Sequence, residues 1–379
     1  MPINAAAWIR AKSGQLEVGS APYPAPGDDQ IVVRNHAVAI NPVDWIIQVA
    51  GAVAYRWLSY PTVLGSDVAG EVVGVGSAVA RFAVGDRVLG HAVGTDKDSN
   101  TAAEGAFQEY TVVLERMASP IPDTLSYESA CVLPLGISTA ACALFQKDHL
   151  AMHHPSAGAE PTGETVLVWG GSTSVGSNAI QLAVAAGYDV ITTASPRNFD
   201  YVTSLGASRV FDHHSATVVP DLVAAFKGKT LAGALAIGTS SAEGCAAVVG
   251  SCTGRKFLSI ASAPVSFAGL AERNRALLAL PRLVTRLVAA NVSLQAKTRP
   301  RGISSKFIFG TTLKNNGVST AIYQDFLPGA LAAGRYLAAP QPYVVGHGLS
   351  SLQHALDIHR TGVSAQKVVV SLAPNGTEA

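Results

Sequence analysis

Glycines at 170, 171 and 176, with hydroxyls at Ser172, Thr173 and Ser174 between them, form the run GGSTSVG. The apolar, β-branched TVLVW (165–169) precedes it, and the helical pattern SNAIQLAVAAG (177–187) follows. A strand feeding a glycine turn and then a helix leaves unpaired backbone N–H groups beside the positive end of a helix dipole, a geometry that takes a pyrophosphate. Gly170, Gly171 and Gly176 allow close backbone approach, and the three hydroxyls add donors. The spacing departs from the usual dinucleotide fingerprint, because Thr173 or Ser174 stands where the middle glycine is expected.

The next strand carries the second chemical feature. YDVITTA (188–194) ends in Thr193 and Ala194, followed by Ser195, Arg197 and Asn198, while Asp189 lies at the opposite end. A carboxylate after Ala194 would hold the ribose 2′-hydroxyl of NAD and repel a 2′-phosphate. A helix N-cap serine and a guanidinium would bind that phosphate instead. NADPH is therefore expected over NADH. Arg197 carries the preference, since a serine that merely caps its helix suits either cofactor.

The elements that must position these residues form a series. After the turn and its helix, closed by Gly187, come the strand 188–194, a helix with Ser195 as N-cap and Pro196 at its first position, and a third strand beginning RVF (209–211). TVLVW shows no alternation, as expected of a strand covered on both faces. This βαβαβ layout is that of a dinucleotide-binding half of a doubly wound parallel sheet. Further strands read at ALAIGT (234–239), KFLSIA (256–261) and KFIFG (306–310), with a helix near 242–249. A long helical segment from Leu270 to Leu294 is expected to break at Pro281. Its Arg273, Arg275, Arg282 and Arg286 read as a solvated face.

The first third reads differently. Between Ile31 and Val113, QIVVRNHAVAIN, DVAGEVVGVG, DRVLGHAV and FQEYTVVL alternate with Gly, Pro and Asp punctuation, which predicts a β-barrel-like domain rather than helices. The 379 residues suit two domains. With 27 Lys and Arg against 26 Asp and Glu, the net charge of +1 gives no electrostatic case for nucleic acid or an anionic membrane. The four cysteines, Cys131, Cys142, Cys245 and Cys252, make no CxxC pair and stand near no histidine at metal spacing. No signal-peptide core and no run of about 18 apolar residues is present. The expectation is a reduced, cytoplasmic protein.

The segments NPVDW (41–45), LGSDVAGEV (64–72), VGDRV (84–88), GAFQEY (105–110), LPLGISTAA (133–141), VLVWGGSTSVG (166–176) and GVSAQKVVVSL (362–372) resemble, in order, those of the medium-chain dehydrogenase/reductase superfamily. The resemblance implies a GroES-like β-barrel catalytic domain formed by residues 1–137 and 317–379, with an α/β Rossmann NADP-binding domain inserted over 138–316. The zinc branch of that superfamily has a cysteine near the position of Asn41 and Gly-His-Glu where this chain reads Gly65, Ser66 and Asp67. The structural-zinc cysteines are missing from 91–104 as well, so no metal is expected.

The closer likeness is to zinc-independent quinone oxidoreductases and enoyl reductases. WGGSTSVG with SPRNFDYVTSLGA resembles fungal-type enoyl reductases that act in trans on polyketide synthases, and their ToxD- and CipB-type relatives. By position, the resemblance implies that Pro42, Val43, Asp44, Trp45 and Thr139 border the nicotinamide, as do Ile260, Ala261, Val363 and Ser364. Ser172, Thr173, Ser174 and Val175 would meet the pyrophosphate, and Ser195, Arg197, Asn198 and His213 the adenosine phosphate. Ala140, Ala143 and Leu144, with the start of the helix near 280, would face substrate. Ile46 stands where many relatives have lysine, and His213 where they have tyrosine.

Such chemistry passes hydride to the β-carbon of an α,β-unsaturated carbonyl, after which the enolate is stabilised and protonated. Thr139 and, as proton donors, Tyr55 or Tyr60 are the candidate catalytic residues, with water the alternative donor. Two rival readings stand: a quinone or carbonyl reductase using the same cofactor, and an NADPH-binding partner protein without turnover. The substrate is a small molecule, free or bound to a carrier protein. The chain is a monomer, or a homodimer paired through KFIFG.

Overall fold

In a computed structural model, residues 3–267 and 276–372 are described. The chain forms two compact units, Met1–Leu135 with Tyr323–Ala379, and Gly136–Ile322.

The first unit begins with β1 (Asn4–Ile9) and β2 (Leu16–Ala21), then β3 (Gln30–Ala39), α1 (Pro42–Ala54), β4 (Thr62–Val63), β5 (Asp67–Val75), β6 (Arg87–His91), β7 (Tyr110–Leu114), β8 (Ala118–Pro120) and α2 (Tyr127–Ala130). The four β-rich stretches read from the sequence become β3, β5, β6 and β7. The expectation of strands and turns alone fails at α1. Its start is set by local chemistry: Asn41 is the N-cap, Pro42 takes the first turn, and the Asp44 carboxylate accepts the Asn41 N–H at 2.8 Å.

The second unit holds most of α3 (Pro134–Phe145), then β9 (Glu164–Trp169), α4 (Ser174–Ala185), β10 (Asp189–Ala194), α5 (Phe199–Ser204), β11 (Arg209–Asp212), α6 (Val218–Ala225), β12 (Thr230–Ala236), α7 (Ser241–Ser251), β13 (Phe257–Ile260), α8 (Ala276–Thr298) and β14 (Ser304–Phe307). Its six strands are parallel in the order β11-β10-β9-β12-β13-β14, a doubly wound sheet. Val166, Leu167 and Val168 are fully enclosed, as a strand covered on both faces requires. The expected break at Pro281 does not occur. The proline is the sixth residue of α8, where its missing N–H costs a single bond to the preceding turn. Arg282 and Arg286 are exposed, as expected, while Arg273 and Arg275 lie outside the described residues.

The chain then returns to the first unit with α9 (Leu327–Ala332), β15 (Gln341–His347), α10 (Leu352–Thr361) and β16 (Gln366–Ser371). β16 pairs antiparallel with β3, placing Val369 opposite Ala39, and completes a sheet ordered β15-β16-β3-β5-β6-β8, with β7 also on β3. A separate sheet runs β2-β1-β4. All four cysteines are free and buried, packed as small apolar side chains. The segment Tyr127–Phe145 is long and apolar enough to cross a membrane, but 83% of it is buried inside the protein.

Candidate functional site

The parallel sheet of the second unit brings the glycine turn, Ser195–Asn198, His213 and Ile260–Ala261 to the carboxyl ends of β9, β10, β11 and β13. In a doubly wound sheet that edge, where the strand order reverses between β9 and β12, is where ligands bind. Gly170 adopts φ +91°, a left-handed conformation, and a side chain on Gly176 would lie 2.2 Å from the Gly170 carbonyl oxygen. The turn therefore folds tightly onto the first residues of α4, and Gly171 packs on Thr192.

The three hydroxyls of the turn do different work. Thr173 is the N-cap of α4: its hydroxyl accepts from the Gly176 N–H at 3.0 Å and donates to the Gly170 carbonyl at 2.8 Å. It is committed to the fold and is not the ligand donor the sequence suggested. Ser174 points its buried hydroxyl at Gly136, where it has no hydrogen-bond partner among the described residues. Ser172 is half-buried, and its hydroxyl makes no bond among the described residues. The first amides of α4, at Ser174 and Val175, have no partner within the helix. An anion approaching the turn thus meets the Ser172 hydroxyl and these amides. The residues fit the pyrophosphate of a dinucleotide.

At the end of β10, Ser195 takes the N-cap position before Pro196 but spends no side-chain bond on the cap. Arg197 is exposed and makes no ion pair among the described residues, whereas Asn198 is buried. His213 follows β11, beside Ser195, because Ala194 pairs with Asp212; its ring lies tilted at 37° against that of His214, with centroids 3.9 Å apart. Asp189 is at the far end of β10, held by Lys229 at 2.8 Å. No carboxylate occupies the position after Ala194. Tyr201, which sequence reasoning did not single out, meets Ser177 of α4 at 2.8 Å, and burial pushes its phenol up to about 12.

Ile260 ends β13 half-buried, and Ala261 donates to the Ala236 carbonyl at 2.9 Å. Thr139 is 8% exposed on α3. Ala140, Ala143 and Leu144, expected to face substrate, are 0% exposed and have no surface to offer.

In the first unit, α1 and the segment leading into β16 come together. Trp45 donates its indole N–H to Nδ1 of His359 at 3.2 Å. Burial, reinforced by the Lys367 charge, takes that imidazole down to about 4, so it stays a neutral acceptor near neutrality. Pro42 and Ser364 are exposed, with Val43 and Val363 half-buried. Asp44 is buried and held by its cap bond to Asn41. Burial pushes its carboxyl up to about 7, opposed by that N–H and raised further by Asp67. Tyr55 closes α1, its ring centroid 5.1 Å from that of Trp57. Burial, with the charges of Asp44 and Asp96, pushes its phenol up to about 12. Tyr60 encloses its hydroxyl against Gly51, without a hydrogen-bond partner among the described residues.

At the N-cap of α1 lies a group of which the sequence pointed to Asn41 and Asp67 but not to Lys367. The Lys367 ammonium contacts Asp67 Oδ2 at 2.8 Å and donates to Asn41 Oδ1 at 2.5 Å. Asn41 Nδ2 donates to Asp67 Oδ2 at 2.7 Å, and the Leu135 N–H donates to Asp67 Oδ1 at 2.6 Å. The one sequence signal is a lysine entering the apolar run VVV of β16. As a metal site the donor set fails: Asn41, Ser66 and Asp67 bring no thiolate or imidazole, and a cationic side chain is already among them. Among the described residues no group of three His, Cys, Asp or Glu side chains is placed to hold a metal.

Residues 27–123 match the family described as the alcohol dehydrogenase GroES-like domain. The chain is 54% identical over 374 residues to the dehydrogenase pigH of Monascus ruber, covering 98% of this chain and 100% of that one. It is 47% identical over 371 residues to the zinc-binding alcohol dehydrogenase domain-containing protein cipB of Emericella nidulans, covering 97% and 98%. The trans-enoyl reductase himH of Aspergillus japonicus is 37% identical over 380 residues, covering 98% of each. Among solved structures, an alcohol dehydrogenase superfamily protein from Novosphingobium aromaticivorans superposes with TM-score 0.72 at 23% identity, covering 98% and 100%. The CurK enoyl reductase gives 0.70 at 17%, covering 98% and 99%. At those identities the structures share the fold.

Proposed function

Because the chain belongs to the medium-chain dehydrogenase/reductase superfamily, we propose that it is an NADPH-dependent, metal-independent enoyl reductase acting on an α,β-unsaturated carbonyl, free or carrier-bound, in the cytoplasm. The observation that carries the cofactor assignment is the end of β10. There Ser195, with no side-chain bond to the cap, Arg197, in no ion pair among the described residues, and His213 stand at adjacent strand ends, where a carboxylate would select NADH. The name of himH, a trans-enoyl reductase matched over 98% of the chain, supports the reaction class.

Bound at this edge, NADPH supplies hydride for the β-carbon of the acceptor. The chain's own work is to hold and exclude. The first amides of α4 with Ser172 take the pyrophosphate, and Ser195, Arg197 and His213 take the 2′-phosphate. Ile260, Ala261, Pro42, Val43, Trp45, Val363 and Ser364 are assigned to the nicotinamide by the family resemblance. Asp44 is assigned to the cap of α1 rather than to the ring. His359 fixes the indole of Trp45 without introducing a charge. The enolate oxygen is left to backbone N–H donors, and its α-carbon takes a proton from Tyr55, Tyr60 or water. A phenol at about 12 gives up its proton to an enolate but not to solvent at neutral pH.

Titrating both cofactors into the wild type and Arg197→Ala tests the assignment. The wild type should bind NADPH at least about tenfold tighter than NADH, and the variant should lose most of that margin with NADH affinity unchanged. Equal affinity for both in the wild type would refute it.

A further inference from the structure

The buried group at the N-cap of α1 is not explained by the reading above. Asn41, Asp67 and Lys367 are 1%, 0% and 3% exposed, and they come from the loop before α1, the start of β5 and the second residue of β16. Their bonds close a triangle in which Lys367 binds Asp67 and Asn41, and Asn41 binds Asp67. The remaining oxygen of Asp67 is taken by the Leu135 N–H. The carboxylate is thus satisfied on both oxygens. Any divalent ion within ligand range of Asp67 Oδ2 and Asn41 Oδ1 would fall on the ammonium itself, with like charge at contact distance. This arrangement disagrees with the zinc binding that the name of the cipB relative states for that protein.

We propose that Lys367 is the resident cation of this domain: its ammonium fills the place a metal would take between Asn41 and Asp67, and no divalent ion binds there. Asn41 is the N-cap of α1, so the ammonium also fixes where that helix begins. Through Asn41 it orients Pro42–Trp45, which makes Lys367 a positioning residue. Only this last consequence rests on the nicotinamide assignment above; the exclusion of metal does not.

The test uses the full-length protein, grown with added zinc, as wild type, Lys367→Met and Asp67→Asn/Lys367→Met. Metal content by mass spectrometry and the thermal midpoint with and without Co²⁺ are read independently of any activity. The wild type should carry no stoichiometric zinc and show no shift with Co²⁺. Lys367→Met, leaving the Asp67 carboxylate buried without its countercharge, should lower the midpoint by roughly 10 °C, and the charge-neutral double variant should regain at least about half of the loss. If NADPH turnover is present, Lys367→Met should lower kcat by about tenfold while KM for NADPH stays within about threefold, because the phosphates are held in the other unit. The double variant should recover part of kcat. Stoichiometric zinc in the wild type, or a midpoint raised by Co²⁺, would overturn the proposal. So would a double variant no more stable than Lys367→Met. If instead the metal and stability results hold while NADPH is not turned over, the failure falls on the functional reading.

Discussion

Two buried titratable groups in the first unit pull its stability in opposite directions with pH. Asp44 holds its proton to about pH 7 in the folded chain against 3.8 as a free group, so the folded state binds the proton that the unfolded chain releases. Its contribution to stability falls as pH rises through that window. His359 is displaced the other way, from 6.5 to about 4, so the unfolded chain takes its proton first and stability falls as pH drops through that window. The two offset each other between about pH 4 and 6.5. Denaturant unfolding at about pH 5 and about pH 7.5 should therefore show Asp44→Asn losing more stability on acidification than the wild type, and His359→Leu losing less. Equal slopes in all three would mean that neither group is displaced. Neither residue's state was legible in the sequence: NPVDW announces a motif, but burial of its aspartate and the imidazole opposite Trp45 depend on residues 314 positions apart in the chain. Arg197 and the missing carboxylate were legible, because that signal is a residue type at a strand end.

Among the elements, the strands announced themselves through β-branched runs and glycine punctuation, and the structure moves most of their ends by a few residues. The helix α1 did not, since its signal is a cap and a first-turn proline rather than an apolar stripe. The start of α4 was placed at Ser177 and lies at Ser174, because Thr173 is spent on the cap instead of on a ligand. Thr173→Ala should cost about 1 kcal/mol in urea unfolding. It should also weaken NADPH and NADH alike, since it loosens the amides that meet the pyrophosphate common to both. Arg197→Ala should affect NADPH alone. A Thr173→Ala variant with unchanged stability, or with loss confined to NADPH, would contradict this division of labour within the turn.

At the scale of the whole chain, the parallel sheet was legible because its strands and helices alternate in order. The contribution of residues 323–372 to the first unit was not, since nothing in the local pattern of QKVVVS says that it pairs with β3 rather than with a neighbour. Only the order of the family's segments carried that expectation. The same holds for the Lys367 triangle, assembled from positions 41, 67 and 367 by that long-range pairing. β14 is the edge of the parallel sheet, with Phe307 and, just beyond it, Phe309 exposed, so the proposed choice between monomer and homodimer turns on whether that edge is covered.

The proposed reaction is hydride transfer from NADPH to a carbon–carbon double bond. It is tested most directly by incubating the protein with NADPH deuterated at C4, on each face in turn, and a small conjugated enone, with products located by mass spectrometry and NMR. The expected product is a saturated carbonyl carrying deuterium at the β-carbon from one face of the cofactor. Deuterium on the carbinol carbon of an allylic alcohol would contradict it in favour of a carbonyl reductase, and no transfer from either face would contradict it outright.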